Sequence, residues 1–372
     1  MEATEFQRQV RRWALVALVT SVLVPFSLHA APSIEVKWRV QSAKLPTMAW
    51  RPRAWGGPVV IADKGLVIFA GASGLSARYT SDGAERWQWK VHDGVESSPV
   101  VGAGVVYACS ADGQLSAHQV VDGKPVWAPA QLRASVRGPL GLDGIHVYAL
   151  AAPGAVYAID RKSGQISWRK KVLTSREFLV DARAGPLVLG SRVVVGDATG
   201  RVSALAARDG ATIWTRKLGG NSTLFRDVGI TPVAMKAGRL LVSSHNAGLY
   251  ALNAADGSLI WRYAVEGAAR PVVTATKVFM VVGGEALHCL GHDGKRRWRR
   301  QLNGNALGPL MATPYGLLSS EEDGITLRRQ RDGLPLKRWN DGFGFSGSPA
   351  LIGADIFVMS NAQVAYRLRV HR

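Results

Sequence analysis

The sequence predicts an all-β protein, an eight-bladed β-propeller of four-stranded antiparallel blades whose ring is closed by the N-terminal strand. Three observations carry that prediction. An X-Pro step recurs at Pro58, Pro99, Pro139, Pro186, Pro232, Pro271, Pro309 and Pro349, at intervals of 38 to 47 residues. A tryptophan follows each of the first seven steps by 27 to 30 residues, at Trp87, Trp127, Trp168, Trp214, Trp261, Trp298 and Trp339. Within each unit, short apolar runs alternate with turn-forming pairs. A period of about 40 residues with four strands per unit is the pattern of a propeller blade.

The chain opens with Arg8, Arg11 and Arg12 against Glu2 and Glu5, then runs without a charge from Trp13 to Leu28 and on through His29-Ala30-Ala31-Pro32. A basic start, an apolar stretch and a small-residue exit describe a secretory signal peptide, so residues 1–31 are expected to be one. An uncleaved inner-membrane anchor is the alternative, because the charge-free stretch reaches Ile34. No cysteine follows the apolar run, so a lipid anchor on an N-terminal cysteine is not expected. The expectation is a periplasmic protein whose residues 33–372 form the propeller.

The first strand is Val36-Lys37-Trp38-Arg39-Val40. The repeats follow, and the fifth shows their plan: Thr231–Ala234, Arg239–Ser243, a turn at Asn246-Ala247-Gly248, Leu249–Leu252, a turn at Asp256-Gly257, and Leu259–Arg262. Asp-Gly and Asn-Ala-Gly accept the positive φ that tight hairpins require. Asp-Gly recurs at Asp82, Asp122, Asp209, Asp293 and Asp332, and Ser163-Gly164 replaces it once. After Pro349 only 23 residues remain, enough for three strands and without a tryptophan. The strand carrying Trp38 supplies the fourth, completing eight blades and eight in-register tryptophans and leaving no open seam.

The composition bounds the function. Forty-six Lys and Arg against 27 Asp and Glu give +19, and without residues 1–31 the charge is +18. Such a field favours anionic partners, including anionic lipid and lipopolysaccharide. Cys109 and Cys289 are the two cysteines, too few for a disulfide scaffold and too far apart for a CxxC motif. They fall in blades on opposite sides of the ring, so each is read as a buried free thiol. Most aspartates occupy turn positions, where they bond their own backbone. The eight histidines are scattered without metal-ligand spacing. Lys295-Arg296-Arg297-Trp298-Arg299-Arg300 is read as a charged outer edge that resists edge-to-edge pairing, not as a nucleic-acid site. No catalytic, cofactor-binding or metal residue is expected.

The pattern Ala-x-Asn/Asp-x-x-x-Gly-x-x-x-Trp, as in Ala251 through Asn253 and Gly257 to Trp261, resembles the tryptophan-docking repeat of quinoprotein-type, PQQ-like eight-bladed propellers. The stretches Arg226-Asp227-Val228 through Trp261 and Val194–Ala204 are similar to the BamB family of outer-membrane assembly factors. That resemblance implies a non-enzymatic, monomeric, protein-binding scaffold that assists outer-membrane or envelope protein assembly. Two departures bear on the partner. A Leu-x-Leu-Arg loop of that family corresponds to Phe178-Leu179-Val180-Asp181 here, and its Asp-Val-Asp to Asp227-Val228-Gly229. One alternative is a PQQ-dependent quinoprotein dehydrogenase, which the wider family implies would need Ca²⁺ ligands, an aspartate base and often an adjacent cysteine pair. The pair is absent from this sequence. The other is a binding module for an anionic envelope ligand.

Repeat spacing locates the expected binding face. The next X-Pro proline usually follows the blade tryptophan by 10 to 12 positions, but by 18 after Trp168 and Trp214. The two enlarged loops flank blade four and emerge on the face of the turns between second and third strands. They carry Phe178, Leu179, Val180, Arg183, Phe225, Arg226 and Asp227, apolar anchors beside charge, as a protein-binding patch requires.

Overall fold

Strand pairing in the computed structural model is the same in every blade: inner strand to second, second to third, third to outer, all antiparallel. The structure describes residues 32–43, 56–132, 134–152, 154–172, 183–197, 199–219, 228, 230–306, 308–322 and 324–371. Among them are eight four-stranded sheets. The expected signal segment, residues 1–31, lies outside the described residues. Blade five is built from Val233–Met235, Arg239–Ser244, Gly248–Asn253 and Leu259–Tyr263, within a residue or two of the sequence expectation.

Ring closure follows the expected route. Ala350–Ile352, Asp355–Met359 and Val364–His371 form three strands of blade eight, and Ser33–Gln41 adds the fourth. Its register runs from Ser33 opposite His371 to Gln41 opposite Val364, with a bulge between Val36 and Trp38. Polar contacts pin both ends of the seam. Glu35 meets His371 at 2.8 Å, and the Gln41 amide donates to the Ala362 carbonyl at 2.8 Å.

Second and third strands hold the core. Leu66–Gly71 is buried at every position, whereas outer strands alternate or face water. Apolar clusters bridge neighbouring blades instead of filling a single centre. Tyr148 and Val156 of blade three pack with Val193, Val195 and Leu205 of blade four, and Trp38 and Phe69 meet Phe357 and Met359 across the seam. Inner strands of adjacent blades touch one another around the axis.

Tryptophan geometry explains the repeat. Each of seven indoles, from Trp38 through Trp298, lies over the turn glycine of the following blade. These glycines have φ between 71° and 78°, and an added Cβ would come within 2.6 to 2.9 Å of an indole carbon. The position thus needs glycine both for its left-handed backbone and for the ring above it. Six of the indoles also donate N–H to a carbonyl of the next blade, at 2.8 to 3.2 Å. The buried Trp298 N–H makes no such bond.

Two tryptophans depart from the uniform expectation. Trp127 lies outside a strand, because the outer strand of blade two is reduced to Ala130–Gln131. Pro125 and Pro129 flank the indole residue and remove ladder donors, yet the ring still covers Gly164. Trp339 faces blade eight, whose third and outer strands come from opposite ends of the propeller and have no Asp-Gly turn between them. It packs edge-on against Tyr366 at 4.9 Å and tilted against Phe345 at 5.7 Å.

Candidate functional site

Antiparallel pairing places the loops between blades, from outer strand to next inner strand, on the same face as the turns between second and third strands. Of the residues expected to form the binding patch, Phe178, Leu179, Val180, Phe225, Arg226 and Asp227 lie outside the described residues; Arg183 is described. The points where the second long loop leaves and returns are well defined. Leu218 and Val228 are both buried in one cluster with Val194 and Val242, and the Val228 N–H donates to the Asp197 carbonyl at 2.9 Å. Asp197 itself accepts from the backbone of Thr199 and Arg201, so it shapes a turn.

Arg183 leads from the loop face to the channel. Its guanidinium donates to Glu96 at 3.1 Å, and Arg137 lies 3.6 Å from the same carboxylate. One acid of blade two therefore ties residues of the next two blades, three and four. These three side chains, with Thr231, Arg270 and Ser346, line a cavity of about 290 Å³ that gathers residues from blades two to eight. Sequence reasoning missed Glu96, Arg137 and Arg270. The available signal was their place, within three residues of an X-Pro proline, where seven sequence-distant segments converge.

Other polar groups serve the blades. Asp143 accepts from the backbone N–H groups of Ile145 and His146 and from the Tyr148 hydroxyl. His118 contacts the Gly123 carbonyl, and His288 lies 3.0 Å from the Tyr263 hydroxyl. Burial, reinforced by Arg296 and Arg299, lowers the pKa of His288 to about 4. Cys109 and Cys289 are free and buried, and burial pushes both thiols upward. Among the described residues, no group of three His, Cys, Asp or Glu side chains gathers as a metal site would require. The acid described in the cavity lining, Glu96, is already engaged by two arginines, so this donor set does not fit a Ca²⁺-bound quinone with an aspartate base.

The basic edge forms the outer strand of blade six, Arg296–Gln301, with Arg297 3.2 Å from Asp293. Blades three to five differ in character. Ile166, Ile213, Leu259 and Ile260 stand exposed on their outer strands.

The family described as outer membrane protein assembly factor BamB matches residues 29–200, 130–230 and 198–322. The chain belongs to the BamB family. It is 28% identical to BamB of Yersinia pestis over 242 residues, covering 59% of this chain and 57% of that protein. Against BamB of Escherichia coli K12 it is 28% identical over 182 residues, covering 46% of this chain and 43% of that protein. The chain thus spans about half the length of the curated relatives it matches. The crystal structure of BamB from Moraxella catarrhalis superposes with a TM-score of 0.78 at 18% identity, covering 91% of this chain and all of that one. Quinohemoprotein alcohol dehydrogenase from Comamonas testosteroni gives 0.72 at 12% identity, over 90% of this chain and 76% of that one. At such identities both likenesses concern the propeller fold.

Proposed function

We infer that the chain is a non-enzymatic scaffold for outer-membrane protein assembly. It acts in the periplasm after export directed by residues 1–31, as a monomer without a bound cofactor. Membership of the BamB family carries this reading. The propeller supports it: the described residues at which the enlarged loops leave and rejoin, Val172 and Arg183, Gly219 and Val228, belong to a packed ring, beside arginines that meet at Glu96. The partner is an envelope protein, possessing an apolar patch rimmed by charge to complement Phe178, Phe225 and Arg226. Anionic lipid or lipopolysaccharide meets the basic outer surface more weakly, through screened charge.

A photo-cross-linking side chain placed at Phe178 or Phe225 of the full chain tests the assignment in periplasm-containing cells. Capture of a component of the outer-membrane assembly machinery is the expected result. Stoichiometric binding of PQQ with Ca²⁺, accompanied by dye reduction, would overturn it in favour of a quinoprotein enzyme.

A further inference from the structure

We propose that the mouth of the central channel is a receptor for a small oxyanion, a carboxylate or a phosphate, held by Arg270 with Ser346. The residue immediately before the X-Pro proline is Gly in four blades, Ser in two and Thr in one. Close packing around the axis explains that choice. A Cβ on Gly138 would overlap the Ala184 carbonyl oxygen, one on Gly185 would overlap that of Pro139, and one on Gly57 would lie 2.6 Å from that of Ser348. Blade six alone breaks the rule, placing the long cationic side chain of Arg270 at this crowded position.

Arg270 has no hydrogen-bond or ion-pair partner among the described residues, although it lines the same cavity as Glu96. Glu96 is committed to Arg183 at 3.1 Å and Arg137 at 3.6 Å. Ser346, which lines the same cavity, is 1% exposed, and its hydroxyl also lacks a partner. A guanidinium with five donors bonded to no described protein group and a buried hydroxyl without a partner, both from residues lining one cavity, match the lone pairs of an oxyanion. The Arg270 side chain remains reachable by water, but the surrounding protein disfavours its charge and draws its pKa down. A bound anion reverses that penalty. The cavity volume of about 290 Å³ limits the ligand to a small molecule.

Calorimetric titration of the full chain with citrate, and separately with inorganic phosphate, tests this at about 150 mM salt, where long-range attraction is screened. Saturable one-site binding of either anion is expected, and the two titrations identify which oxyanion is preferred. Arg270→Ser, which installs the residue type found there in blades two and eight, should weaken that binding by about 10- to 100-fold. Arg270→Lys should give an intermediate loss, since it keeps charge but not the planar fork. Arg297→Ser on the outer rim should change nothing. If Arg270→Ser folds poorly, Arg270→Gln provides the same comparison. Equal affinity in the unaltered and substituted proteins, or saturation by neither anion, overturns the proposal. Cross-linking from Phe178 is expected to persist in Arg270→Ser, so failure of the anion site and failure of the scaffold reading are separately visible.

Discussion

Arg328 and Glu321 form an ion pair inside blade seven, Nη2 to Oε1 at 2.7 Å, with side chains only 5% and 4% exposed. Ser319 and Thr326 donate to the same carboxylate at 2.7 and 2.8 Å, and Arg338 lies 3.9 Å from it. The fifth residue of the third strand is Arg78 in blade one and Arg328 in blade seven, but Leu252 and Leu290 in blades five and six. The scaffold thus accepts either a bonded cation or an aliphatic side chain there.

Breaking this pair singly should be severe. Arg328→Leu leaves Glu321 buried with only the more distant Arg338 opposite it, at a cost of up to about 3–5 kcal/mol. Adding Glu321→Leu should recover most of the loss, since a well-packed apolar pair is often as stable as a buried ionic one. Urea unfolding of the single and double variants measures both. A single variant as stable as the parent would show that the pair adds nothing.

The tryptophan contact separates from backbone strain by comparing two glycines. Gly190 has φ of 56° with open space where a Cβ would go, whereas Gly210 has φ of 72° and Trp168 at 2.7 Å. Gly190→Ala should cost roughly 1–2 kcal/mol from its left-handed backbone alone. Gly210→Ala should cost a further ~1–3 kcal/mol, as the indole is displaced. Equal melting temperatures for the two variants would mean that the ring tolerates the intrusion.

Acidification should weaken the fold through His288. Its folded pKa of about 4 is below the ordinary histidine value, so the unfolded chain binds the proton first as pH falls. The stabilising contribution is complete above about pH 6.5 and is lost as pH drops toward about 4, by up to about 3 kcal/mol. His288→Gln removes the titration. Its melting temperature should fall less between pH 7 and pH 4.5 than that of the parent, and parallel losses would exclude His288 as the source.

Deletion of residues 33–41 tests the seam. It exposes the edge of Val364–His371 and removes Trp38, which is 8% exposed and bonded to the Thr80 carbonyl at 3.0 Å. Loss of one such tryptophan costs about 3–5 kcal/mol, against a typical total of roughly 5–15. Early melting or aggregation is expected, measured by light scattering during a thermal scan. An unchanged transition would require another means of closing the ring.

Partner binding should depend on the enlarged loops. Phe178→Ala with Arg226→Ala is expected to abolish capture, as interface anchors typically cost ~2–4 kcal/mol each. Arg297→Ser with Arg299→Ser, on the outer strand of blade six, should have little effect at physiological salt. If the edge variant loses the partner and the loop variant retains it, the basic surface is the binding site.

The blades were legible because each one solves the same local problem. Asp256-Gly257 and Trp261 recur at fixed spacing because turn and indole must meet their neighbours in every blade. The exceptions were not legible from the period. Trp127 loses its strand to prolines, and Trp339 loses its turn because the propeller ends there. The channel mouth was also hidden, since Glu96, Arg183 and Arg270 become neighbours only after inner strands far apart in sequence have assembled around the axis. The long loops could be located by counting, but counting cannot assign an orientation to Phe178 or Arg226.

The pairing of Ser33 with His371 joins residues 338 positions apart, and this separation orders events in time. Contacts within a blade span a few tens of residues and can form while the chain is still emerging, but the seam must wait for the final strand. The first propeller strand to be synthesised is therefore the last to be placed. Until then two sheet edges remain open to mispairing with other chains. Pulsed hydrogen exchange during refolding should show amides of Ser33–Gln41 protected after those of Arg239–Ser244, a delay set by topology rather than by the stability of either strand.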